Sequence, residues 1–263
     1  MAEGLQVEEI GWEELWDSRI DWQPGQHWSL IGPSGTGKTT GLVDLGERSM
    51  HHTILVVTKN RDGLVTRLPR ERGWTVAREL ADVQKLLKRS WGDRWEKRER
   101  PLQRIVYHPN LGQVSLHSRA EALADRVEQL LTWVYYHGHD FGGVTVEIDE
   151  ATGAAQQLGL QKPLTLMWDE SRSNDVEMVA GIQRPAYVPK SSYNAARYLL
   201  VFKTVDPDDV LAVTKMAGFS NRQLLRDELE RLPEHHHLFI ATREGWIARS
   251  RVVIRPRKPE RRR

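Results

Sequence analysis

The chain has 263 residues, with 38 Lys/Arg against 36 Asp/Glu, 39% hydrophobic residues and no cysteine. That length suits one large domain or a domain with a small appendage, and the missing thiols exclude disulfides, thiolate zinc sites, iron–sulfur ligation and a cysteine nucleophile. No window approaches the ~20 consecutive apolar residues of a membrane helix. The acidic start, MAEGLQVEEIGWEELWD, lacks the apolar core of a signal peptide, so the expected location is cytoplasmic with no membrane span. Residues 251–263 hold seven Lys/Arg and one Glu, which leaves 31 Lys/Arg against 35 Asp/Glu in the remaining body. A basic tail on a mildly acidic globule reads either as a contact for a polyanion or acidic partner, or as a solvated terminus.

Short apolar strands alternate with helical patterns, which predicts an α/β fold with a largely parallel sheet. The first expected strand, 27–31, is followed by a helix over 37–48 and by strands over 53–58 and 104–107. Between the last two, residues 85–104 carry eight Lys/Arg against three Asp/Glu, with Trp91 and Trp95 interleaved. That stretch reads as a nucleic-acid contact or as a solvated helix end. Ser118 to Glu121 fits a capping box opening a helix to about Tyr136, with Leu123, Val127, Leu130, Leu131 and Val134 on one face. A strand over 144–148, a helix over 164–173, and strands over 176–182 and 198–203 complete an expected core of residues 1–204, with a lead-in of 1–25. Helices over 206–217 and 221–232, then a hairpin of 237–242 and 245–254, form an expected small extension of 205–254. Residues 255–263 are the basic tail.

Residues Gly32-Pro33-Ser34-Gly35-Thr36-Gly37-Lys38-Thr39 match G-x-x-x-x-G-K-[ST] at every fixed position, between an apolar strand and a helical pattern. Glycines let the backbone wrap closely around phosphates, and successive N–H groups at a helix N-terminus face the anion. Lys38 is expected to reach the β- and γ-phosphates and the Thr39 hydroxyl to ligate Mg²⁺. Thr40 completes the expected nucleotide-binding run. Asp149, 111 residues after Lys38, ends a strand and precedes Glu150. This is the Walker B pattern, in which Asp149 holds Mg²⁺ and Glu150 activates the attacking water as general base. A glutamate there favours hydrolysis over phosphate transfer to a small acceptor. The plainer reading of Glu150 is an acid stabilised at a helix N-terminus. In folds of this class the strand ending at Gln183 lies beside the phosphate-loop strand. Its polar tip is then placed to hydrogen-bond the γ-phosphate or the water.

The order of phosphate loop, strand-Asp149-Glu150, a helix carrying Arg172, and a strand ending Gln183-Arg184-Pro185 resembles the FtsK–HerA superfamily of additional-strand P-loop ATPases. The short chain is similar to the genome-packaging ATPases of small tailed phages. The resemblance spans about residues 26–204, and the arginine–strand–Gln-Arg-Pro segment is its discriminating part. It implies a P-loop NTPase of the catalytic-glutamate type with ATP and Mg²⁺ as cofactors. It further implies a homo-oligomeric ring, a pentamer or hexamer, that translocates double-stranded DNA and docks on a portal or capsid protein, in the host cytoplasm if viral. An arginine from the neighbouring subunit completes such sites and is worth roughly 10³–10⁵ in rate. Arg172 matches it by position and Arg184 is the second candidate, although each also reads as a surface ion-pair residue. Lys59 and Arg61 are further candidates for a lid or trans contact. The chain departs from chromosome-segregation motors in its shortness, from filamentous-phage assembly ATPases in lacking a span, and from large terminases in lacking a trailing acidic cluster. The alternative is an assembly, secretion or conjugation accessory ATPase acting on a protein partner.

The runs His235-His236-His237 and His137-Gly138-His139-Asp140 lack further ligands at fixed spacing and predict no metal site. Trp28, Trp133 and Trp168 fall in regular elements and are expected in the core. One of Trp12, Trp16 or Trp22 is a candidate cover for the adenine, and nothing in the sequence selects among them.

Overall fold

The computed structural model describes residues 7–60, 62–91, 101–216 and 222–254. The elements run β1 (Glu8–Glu9), α1 (Trp12–Ser18), β2 (His27–Ile31), α2 (Lys38–Arg48), β3 (His52–Val56), α3 (Leu64–Arg72), β4 (Thr75–Ala77), α4 (Leu80–Trp91), β5 (Arg104–Tyr107) and α5 (Arg119–His137). They continue as β6 (Val144–Ile148), α6 (Ala151–Gln156), α7 (Gln161–Glu170), β7 (Val176–Ile182), α8 (Ser191–Asn194), β8 (Ala196–Phe202), α9 (Pro207–Met216), α10 (Arg222–Arg231), β9 (His237–Ala241) and β10 (Trp246–Ser250).

Among the described residues, ten strands form one sheet, in the order β1-β10-β9-β8-β2-β7-β6-β3-β5-β4. From β8 to β4 every pairing is parallel. The C-terminal hairpin is antiparallel and pairs through β9 with β8. Residues 205–254 therefore add α9, α10 and two strands of the same sheet. Strands β2, β3, β6 and β7 are buried at every position, because helices cover both faces. Their polar members, among them His27, Ser29, Thr53, Thr145, Glu147 and Glu177, are buried along with the apolar ones.

Alternation along β2 sends Ile31 into one core and Trp28 and Leu30 into the other. The first core packs Ile54, Val127, Leu131, Leu164 and Trp168, with Trp133 half-buried at its margin. The second holds Trp12, Trp22, Trp28, Leu42 and Leu45, with Trp16 packed against it. Trp28 lies 4.5 Å from the Tyr198 ring and 5.4 Å from Trp22, centroid to centroid. Helix α1 is clamped onto α2: Trp12 Nε1 donates to Asp44 at 2.7 Å, and Arg48 pairs with Asp44 and Glu13 while lying over Trp16. Trp12 and Trp22 are thus core residues with Trp16 packed against them. None of the three lines the cleft over the phosphate loop, so the expectation that one of them covers the adenine is corrected.

Other expectations shift locally. Ser118 precedes α5 but makes no side-chain cap. A capping serine reaches forward from extended backbone, whereas Ser118 is already helical at φ −85° and ψ −4° and bonds to Ser115 instead. The expected helix carrying Arg172 ends at Glu170, and Arg172 lies in a following 3₁₀ turn. Arg104, counted above in the basic stretch, is half-buried and donates to the carbonyls of Ser49 at 2.7 Å and His51 at 2.5 Å. It thereby satisfies acceptors at the C-terminal end of α2. Residues 92–100, the centre of that stretch, and 255–263, the basic tail, lie outside the described residues. Among the described residues, no helix is long and apolar enough to cross a membrane.

Candidate active site

The loop 32–37 links the C-terminal end of β2 to α2. Gly37 starts the helix at φ 113°, a left-handed conformation that glycine adopts without penalty. Lys38, the first helical residue, is buried. Its Nζ donates to the carbonyls of Gly32 and Pro33, both at 2.6 Å. Burial lowers its pKa to about 8, with Asp149 pulling the other way.

Strand β7 lies between β2 and β6, as expected for an additional strand beside the phosphate loop. This insertion brings three strand ends to one point. From β6, Asp149 accepts a hydrogen bond from Thr39 Oγ1 at 2.8 Å. Burial pushes the Asp149 pKa up, and the Thr39 bond opposes that shift. Glu150 begins α6, and its Oε1 accepts from Gln183 Nε2 at 2.9 Å. Its other oxygen lies 3.3 Å from Lys59 Nζ. Burial disfavours the Lys59 charge, but Glu150 and Asp149 outweigh it and raise the pKa. Gly181 permits this convergence: a Cβ there would come 2.5 Å from the Asp149 carbonyl oxygen.

Above these residues lies an open cleft of about 730 Å³. Ser34, Gly35, Gly37, Lys38, Thr39 and Thr40 form its floor, with Asp149 and Gln183 beside them. Lys59, Asp62 and the α3 residues Thr66, Arg67 and Arg70 form one wall. Asp62, ahead of the helix, accepts from the Leu64 amide two residues on at 2.8 Å. Sequence reasoning missed Asp62, Arg67, Arg70 and also His235, which lines the cleft from the loop before β9. The only available signal for the arginines was their i, i+3 spacing, and Pro69 within α3 obscures the helical reading there. Arg61 lies outside the described residues.

The two arginine candidates go to different places. Arg184 follows Gln183 and pairs with Asp206 at 3.2 Å and Asp209 at 2.9 Å. It thus ties the end of β7 to the N-terminus of α9, where Asp206 also accepts from the Asp208 and Asp209 amides. Arg172 lies before β7, its aliphatic stem over Gly25 so closely that a Cβ at Gly25 would collide with it. Gly25 precedes β2 and the phosphate loop follows it, so about 13 Å of strand separates Arg172 from its own chain's loop. Arg172 therefore stands at the opposite, N-terminal end of the central strands and does not line this chain's cleft.

No family model matches the chain, and no curated protein matches it. Among solved structures, the genome packaging NTPase B204 from Sulfolobus turreted icosahedral virus 2 in complex with sulfate superimposes with a TM-score of 0.64 at 14% identity, covering 89% of this chain and 100% of that one. Its complex with AMPPCP gives 0.63 at 15% identity, covering 88% and 100%. VirB4 of Thermoanaerobacter pseudethanolicus gives 0.62 at 11% identity, covering 88% and 90%. The likeness is one of fold, and it bears out the mixed, largely parallel P-loop architecture.

Proposed function

We propose that the chain binds ATP with Mg²⁺ on the 32–40 loop and hydrolyses it. We further propose that it works as a subunit of a ring that moves double-stranded DNA, as a genome-packaging motor. The observation that carries the hydrolysis reading is the hydrogen bond from Gln183, at the end of β7, to Glu150, at the end of the neighbouring β6. In this reading it joins an amide beside the γ-phosphate to the carboxylate that takes the proton from water. The solved B204 complex with AMPPCP, so similar in fold, supports ATP as the nucleotide.

The oxygen donors Thr39 and Asp149, 2.8 Å apart, fit a hard divalent cation. Mg²⁺ held there would supply charge neutralisation on the β- and γ-oxygens. The loop amides and Lys38 bind the phosphates, with Lys38 exchanging the Gly32 and Pro33 carbonyls for phosphate oxygens. Glu150 accepts a proton from the attacking water through its carboxylate, and Gln183 fixes that carboxylate's orientation. Lys59, 3.3 Å from the other Glu150 oxygen, helps to fix the carboxylate's position. Arg172 or Arg184 of a neighbouring subunit would complete the site, as the superfamily resemblance implies. Of the two, Arg184 must first leave Asp206 and Asp209.

The test is ATP turnover by the purified chain with and without linear double-stranded DNA, at low and moderate salt. Stimulation that fades as salt rises supports the DNA motor. Turnover indifferent to DNA but raised by a protein partner would move the assignment to an assembly or secretion accessory ATPase.

A further inference from the structure

The nucleotide reading places a triphosphate on the 32–40 loop but says nothing about its base. The cleft is lined by residues that follow β2, β3, β6 and β7 and by one that precedes β9, and the sheet order puts β3 and β9 on opposite sides of β2. Asp149 and Gln183 end β6 and β7, so the metal and γ-phosphate end points towards β3. The nucleoside must then extend the other way, over β8 towards β9. Two strand spacings of ~4.8 Å put β9 roughly 10 Å from β2. The residue lining the cleft from that side is His235, and it carries the only aromatic ring among the described lining residues.

The backbone marks the same residue. His236 N–H donates to the Pro233 carbonyl at 3.2 Å and closes a four-residue turn. His235 is third in that turn, at φ 60°. A positive φ at the third position is the place of glycine in a type II turn; His tolerates it but at a cost. The turn therefore keeps an imidazole where glycine would be least strained. Its neighbours are already engaged. His236 Nδ1 lies 3.0 Å from the Glu234 carbonyl, and the His237 ring is buried between Trp12 and Phe202. The His235 ring is half exposed, and Glu234 Oε1 lies 3.6 Å away, beyond hydrogen-bond reach.

We infer that His235 is a nucleobase platform: its ring stacks on the purine of the bound nucleoside triphosphate. This rests on the nucleotide reading above and adds the base subsite to it. Every base offers a π-face, so a stack of this kind holds adenine and guanine alike.

The test is equilibrium binding of MgATP, MgGTP and magnesium tripolyphosphate to the full-length wild-type chain, His235→Gly and His235→Phe. Glycine suits φ 60°, so His235→Gly keeps the turn and removes only the ring. The expected result is a loss of about tenfold for both nucleotides in His235→Gly, with tripolyphosphate changed by less than about twofold, and recovery in His235→Phe. ATP affinity unchanged in His235→Gly, or tripolyphosphate weakened as much as ATP, overturns the platform. A loss for ATP without a loss for GTP also overturns it, because that pattern belongs to edge hydrogen bonding. If the wild type binds neither nucleotide nor tripolyphosphate in a Lys38-dependent way, the nucleotide reading itself fails, and this outcome is distinct from the others.

Discussion

Glu147 offers a sharp test of how the strand under the site is built. It lies on β6, two residues before Asp149, and is fully buried with no hydrogen-bond partner on either carboxylate oxygen. Helix α2 covers it so closely that a Cβ at Gly46 would come 2.9 Å from Oε2. Burial pushes its pKa well above the usual carboxylate range, against the pull of Arg104. The unfolded chain releases this proton near pH ~4.3, whereas the folded chain keeps it to higher pH. Above that point the folded state binds more protons than the unfolded state, so stability falls as pH rises until the folded pKa is reached. One proton corresponds to a slope of about 1.4 kcal/mol per pH unit. Glu147→Gln keeps the shape without the titration. His27 and His237, lowered by burial to about 4 and about 3, act in the opposite sense but are common to both proteins and cancel in the difference. Urea melts of both proteins at half-unit steps upward from about pH 5 should favour the variant by roughly 0.7 kcal/mol more at each step. A difference that stays flat across this range would refute the reasoning. It would mean that Glu147 is ionised in the fold and stabilised by Arg104.

Burial lowers the Lys38 pKa to about 8, so nucleotide affinity measured by calorimetry should be constant below that pH. It should weaken by up to about tenfold per unit above it, and a flat profile well into alkaline pH would contradict the assignment. Glu150→Gln should retain ATP binding while turnover falls by roughly 10²–10⁴; near-normal turnover removes Glu150 as the base. Gly181→Ala places a Cβ 2.5 Å from the Asp149 carbonyl oxygen and should cost about 1–3 kcal/mol in a denaturant melt. For the trans arginine, inactive Arg172→Ala or Arg184→Ala subunits are mixed with inactive Glu150→Gln subunits. Activity should return at mixed interfaces for the residue that acts in trans, and absence of rescue in mixed rings excludes it.

Strands β2, β5, β6 and β7 were readable to the residue, because each is a short, largely apolar run bounded by turn or polar residues. Of the elements missed, α4 spans 12 residues and was read only in part, as the alternative of a solvated helix end, and the others were short or interrupted. Strands β1 and β4 span two and three residues, too few for a period, and α3 contains Pro69. Trp12, Trp16 and Trp22 were readable as tryptophans but not as core, since nothing local tells which indole α1 will press against Trp28. Arg104 was misplaced for a related reason: its partners are carbonyls some 50 residues away in the chain, and backbone acceptors leave no mark in the sequence.

The sequence alone determined the phosphate loop, the Asp149-Glu150 strand end and the alternation that makes the sheet parallel. Each is a local pattern whose chemistry depends on neighbouring residues. The tertiary structure decided what meets there. Inserting β7 between β2 and β6 puts Gln183 on Glu150, and the turn of β3 into α3 brings Lys59 to the same carboxylate. The antiparallel return of β9 carries His235 to the cleft, while Arg172 is left at the opposite ends of the central strands. Those contacts join residues tens to hundreds of positions apart. Strand order creates them, and it is settled by the packing of the whole sheet rather than by any one segment.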